Sequence, residues 1–117
     1  MADPINELET RINKLASEVD ALAVMLPRSF AKSRLQTVRT MAEEVAARSQ
    51  AVVLSMRLDR PSSEVRETVA ELQASLAQLR LMSSRTRIEQ GTLLTLVLME
   101  KLVGSLCADL SVWERAV

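Results

Sequence analysis

Apolar residues recur in alternating steps of three and four along four separate stretches of this chain, and that spacing limits what it can become. The first stretch runs Ile5, Leu8, Ile12, Leu15, Val19, Leu22, Leu26, and the second Leu35, Val38, Ala42, Val45, Ser49, Val52, Met56. The third is Val65, Val69, Leu72, Leu76, Leu79, and the fourth Leu96, Met99, Val103, Leu106, Leu110, Trp113, Val117. A 3,4 step returns a side chain to the same face of an α-helix at each turn, so every stretch carries a stripe that must be buried against another helix. The expected fold class is all-α: an antiparallel four-helix bundle, or extended helical hairpins with coiled-coil-like packing.

Local signals place the ends of these helices at about 4–26, 29–58, 63–82 and 87–115. Asp3 before Pro4 reads as an N-cap with proline at the first helical position, where its missing donor costs nothing. Pro27 disfavours helical dihedrals at Leu26, and Ser29 can cap the second helix, which would then run roughly 30 residues or ~45 Å. Asp59-Arg60-Pro61-Ser62-Ser63 is the clearest turn, and Glu64 and Glu67 beyond it suit the positive end of the third helix. Ser83 and Ser84 interrupt the next stretch, and Thr86-Arg87-Ile88-Glu89 has the spacing of a capping box. The sequence leaves open whether the third and fourth helices are separate or one bent helix. In the first helix, β-branched residues alternate with leucines as in two-stranded coiled coils, yet Ala16 and Ala23 widen its stripe and favour a multi-helix bundle. Short connections make consecutive helices antiparallel.

With 117 residues, 48% of them hydrophobic, residues 1–117 are expected to form one helical-bundle domain. Fifteen basic and fifteen acidic residues cancel, which removes the overall positive field of a general nucleic-acid binder. The most apolar window, residues 91–110, has Glu100 and Lys101 near its centre, and each would cost ~3 kcal/mol inside a bilayer. No membrane span is expected. The N-terminus alternates charged and apolar residues rather than opening like a signal peptide, and Cys107 is the only cysteine, so the expected setting is the reducing cytoplasm.

The chain has no histidine and no tyrosine, so it lacks the commonest general base, the commonest metal ligand and a phenolic acid. There is no inward Glu-x-x-His pair for a di-metal site and no glycine loop for phosphate, since Gly91 and Gly104 both fall in the fourth helix. These absences argue against catalysis, and no catalytic residue, metal or cofactor is assigned. Cys107 reads as a small residue at the core edge, with no cation beside it in sequence to activate the thiol. Glu64, Glu67 and Glu71 form an acidic strip on the third helix that ordinary solvation and the helix dipole explain.

Two features point towards partners. From Leu93 onward the fourth helix is apolar around more of its circumference than one bundle face requires, and Gly104 with Ala108 would permit a close helix crossing. Leu94, Leu98, Leu102, Gly104, Leu106, Leu110 and Trp113 are the candidate residues for a homodimer or partner interface, together with the first helix. In an up-down-up-down bundle the first and third connections share one end. That end collects Arg28, Lys32, Arg34, Arg39, Arg80, Arg85 and Arg87 against Glu89, while the opposite end is predominantly acidic. The expected function is a non-enzymatic protein-protein interaction module, a homodimeric regulator, adaptor or chaperone. The alternative is a small nucleic-acid-binding regulator that uses the basic end, although Phe30 is the only aromatic residue there and no helix-turn-helix is evident.

Overall fold

The computed structural model describes residues 4–85 and 88–116. Five helical segments follow one another: α1 (Pro4–Ala23), α2 (Leu26–Ser29), α3 (Gln36–Arg57), α4 (Ser62–Ser83) and α5 (Gln90–Ala116). Asp3, Thr86, Arg87 and Val117 lie outside the described residues, and with them the proposed N-cap and half of the proposed capping box.

The four long helices form a ring in which α1 packs on α3 and α5, and α4 packs on the same two. Their stripes meet at the centre. Ile12, Val19, Val38, Val45, Leu72, Leu76, Leu96, Met99 and Leu106 are among the fully buried side chains, and each apolar side chain of this size gains about 1.5–3 kcal/mol on leaving water. Contacts between side chains distant in sequence set an antiparallel register. Arg11 near the start of α1 pairs with Asp109 near the end of α5, Arg48 on α3 with Glu71 on α4, and Arg80 on α4 with Glu100 on α5. The bundle is therefore up-down-up-down and elongated, 52 × 22 × 18 Å, with a radius of gyration of 14.8 Å against about 13 Å for a compact chain of this length.

The second predicted helix is corrected at its start. Instead of running from Ser29, the chain makes the single turn α2, with Pro27 in its first positions, and then a connection before α3 begins at Gln36. Leu26 and Phe30 lie one turn apart and are both buried, and the Phe30 amide donates to the Leu26 carbonyl. The chain reverses here so that α3 packs back along α1, and residues 30–35 make that connection. Leu35 then adopts extended dihedrals, φ −87° and ψ 108°, as the N-cap of α3. Starting α3 at Gln36 also leaves Arg28, Lys32 and Arg34 outside its first turn, where their charge would oppose the dipole.

The other connections follow their local chemistry. α3 ends with the Arg60 amide donating to the Ser55 carbonyl and the Asp59 amide to Met56, a Schellman arrangement that needs a left-handed residue between them. Asp59 supplies it at φ 51°, a conformation aspartate tolerates better than branched residues. α4 and α5 are separate helices, broken after Ser83. Ser49, the one polar residue in the second stripe, is buried and donates to the Asp20 carboxylate at 3.2 Å, tying α3 to α1.

Candidate functional site

α5 is apolar on more sides than its two neighbours cover. Leu96, Met99, Val103, Leu106 and Leu110 face the core and are buried, while Leu102, Cys107 and Trp113 pack on its margin. On the outward side Leu94 is 60% exposed, Leu98 47% and Val112 48%. Leu94 and Leu98 are four residues apart, and Val112 follows Leu94 by five full turns, so the three share one face. Between them stand Lys101, Gly104, Ser105, Ala108 and Ser111, all exposed.

The charges of α5 are distributed to match. Its acidic residues are Glu100, Asp109 and Glu114, and each is engaged by a neighbouring helix. Arg80 reaches Glu100 at 3.1 Å, Arg66 reaches Glu114 at 3.3 Å, and Arg11 grips Asp109 with two bonds of 2.8 and 2.9 Å. The Asp109 carboxylate holds the Arg11 guanidinium above its ordinary pKa, chiefly through that hydrogen bond. Exposed ion pairs contribute little to stability. Their consequence here is geometric: the carboxylates point to the flanks, and the outward strip carries none.

Neither glycine of α5 is required by the packing of this chain. A Cβ added at Gly91 or Gly104 would meet nothing within 4 Å. Glycine in a helix interior costs about 1 kcal/mol relative to alanine. The strip is thus kept low in its middle at a cost that no intrachain contact offsets.

The candidate interface residues divide into two groups. Leu106 and Leu110 are buried in the core and have no surface to offer a second chain, and Leu102 and Trp113 are half-buried. Leu94, Leu98 and Gly104 lie on the outward strip. Val112 shares their face although it is not among the candidates that the sequence suggests; its spacing of five full turns from Leu94 is the signal that places it there.

The basic residues also divide. A cleft lined by Phe30, Lys32, Ser33, Ile88, Glu89 and Thr92 shows that the α2–α3 and α4–α5 connections meet at one end. Arg28, Lys32, Arg34 and Arg85 are exposed there, and among the described residues none pairs with a carboxylate. Arg39 is half-buried and donates to the Ser33 carbonyl, and Arg80 is spent on Glu100. Arg87 lies outside the described residues. The acidic strip of α4 is partly engaged within the chain, through Glu71 with Arg48 and Glu64 with Arg60.

Among the described residues no group of His, Cys, Asp and Glu could hold a metal ion, and no helix is long and apolar enough to cross a membrane. Cys107 is half-buried between α5 and α4, with its thiol donating to Gln73 Oε1 at 3.7 Å. Burial pushes that thiol up from its ordinary pKa, which favours the unreactive protonated form near neutral pH. A disulfide reagent at pH 8 should therefore modify the native chain at least about tenfold more slowly than the urea-unfolded chain. Equal rates would show that the thiol is exposed.

No family model, curated protein or solved structure matches this chain.

Proposed function

We propose that this protein is a non-enzymatic protein-protein interaction module, a homodimeric regulator, adaptor or chaperone that associates through the outward face of α5. The observation that carries this reading is the acid-free strip from Leu94 to Val112, apolar at both ends and lowered by Gly104 in the middle. Such a strip is self-complementary. In a two-fold antiparallel crossing at Gly104, Leu94 and Leu98 of one copy lie against Val112 and Ala108 of the other, bulky residues over small ones. The absence of histidine and tyrosine supports a role without catalysis, and a single cysteine suits a reducing, cytoplasmic setting.

Gly104→Leu separates this reading from a monomer whose glycine is incidental. With nothing within 4 Å of the added Cβ at this exposed position, the folded chain should gain up to about 1 kcal/mol of helix stability. Association should weaken, because leucine holds the two helices apart. Sedimentation velocity and urea unfolding of the same sample read both effects. A variant that associates as strongly as the parent would contradict the proposed crossing.

A further inference from the structure

We propose that the end of the bundle bearing the α2–α3 connection docks on the surface of an anionic lipid bilayer. This surface is separate from the outward strip of α5, and the proposal does not rest on the association described above.

Charge is the first support. Arg28, Lys32, Arg34 and Arg85 are gathered at this end, exposed and without a carboxylate partner among the described residues; Arg80 beside them is paired with Glu100, and the other exposed cations without such a partner, Lys14, Arg57, Lys101 and Arg115, lie on other parts of the surface. The nearby acids are Glu89, exposed in the same cleft as Lys32, and Asp20 and Glu43, which line a second cleft with Val24 and Pro27. An anionic surface complements this arrangement, and each Lys or Arg beside such a surface contributes about fivefold in affinity.

Exposed aliphatic side chains on the same elements select the kind of anion. Val24 and Met25 immediately precede α2, Leu35 caps α3 beside Arg34, and Leu81 lies on the last turn of α4 near Arg85, all exposed. A phosphate backbone offers such groups nothing, and the only aromatic residue there, Phe30, is buried and cannot stack on bases. An amphipathic partner helix needs a continuous apolar groove. Here the apolar residues are spread over three elements around a cleft lined largely by polar residues. Cations interleaved with separate aliphatic side chains fit a planar interface, where head groups meet the charges and the acyl boundary takes the leucine and methionine.

Co-sedimentation of the full chain at low salt tests this, using phosphatidylcholine vesicles with and without phosphatidylglycerol, and duplex DNA in parallel. Retention should require phosphatidylglycerol, fall with added salt, and drop about a hundredfold in Arg28→Gln/Lys32→Gln/Arg34→Gln. These positions are exposed, so the helical circular dichroism of the triple variant should match the parent. Leu35→Trp supplies the orienting readout. Brominated lipids should quench the new indole and leave Trp113 untouched, since Trp113 sits at the opposite end beside Glu9 and Asp59. Four results would overturn the proposal: equal retention on neutral vesicles, quenching of Trp113 alone, binding to DNA without binding to vesicles, or retention by neither.

Discussion

Replacing Leu106 with alanine is expected to lower stability by about 3–4 kcal/mol, while Leu98→Ala costs less than about 1 kcal/mol. Both leucines belong to the same apolar run of α5. Leu106 is fully buried, so its truncation removes transfer free energy and leaves a cavity among neighbours from the other helices. Leu98 is nearly half exposed and loses only part of that. A chain of this length has a total stability of roughly 5–15 kcal/mol, so the first change removes a large fraction of it. Urea unfolding at protein concentrations low enough to keep the chain monomeric gives the comparison, with a shifted midpoint and an unchanged slope for Leu106→Ala. Equal losses at the two positions would mean that α5 is rotated from the orientation described here.

The second large effect is on association rather than folding. Leu94→Glu/Leu98→Glu places two carboxylates on a strip that has none, in a helix where glutamate is a good former and both sites face water. The monomer should fold as before. Across a two-fold interface the substitution brings four carboxylates against two Lys101 ammonium groups and leaves desolvated charge uncompensated on both sides, so the dissociation constant should rise at least about a hundredfold. Circular dichroism unchanged together with self-association lost is the expected pair of results.

The contrast between these two experiments shows where the sequence is informative. The 3,4 spacing in α4 names its buried residues Val65, Val69, Leu72, Leu76 and Leu79, whereas in α1 the buried face is shifted towards Ala16 and Ala23, with Leu15 and Leu22 only half-buried. Ser49 was placed in the second stripe despite its hydroxyl, and it is buried there, with Asp20 as the partner that spacing could not supply. In α5 the stripe Leu96, Met99, Val103, Leu106 and Leu110 is likewise the buried face. The spacing leaves open which apolar residues off that stripe are covered, and neighbours decide it: Arg11 on Asp109 to one side, Arg80 on Glu100 to the other. The candidate interface set joins Leu106 and Leu110 from the buried stripe to the outward Leu94 and Leu98, and it lacks Val112.

The region after Pro27 was illegible for a different reason. Ala31, Lys32 and Arg34 all form helices readily, and the break serves the chain reversal that lets α3 pack back on α1, a tertiary effect. The uneven charge of that end could be counted in sequence, but its pairing could not. Arg80 finds Glu100 twenty residues later, and Arg39 turns to the Ser33 carbonyl, leaving a smaller set of uncommitted cations.

Sedimentation equilibrium of the parent chain and of Leu94→Glu/Leu98→Glu tests most directly whether the outward face of α5 is an interface. At micromolar concentration the parent should sediment at twice the 13.0 kDa chain mass and the variant at 13.0 kDa. A parent that remains at 13.0 kDa throughout, or a variant that still doubles its mass, would contradict it.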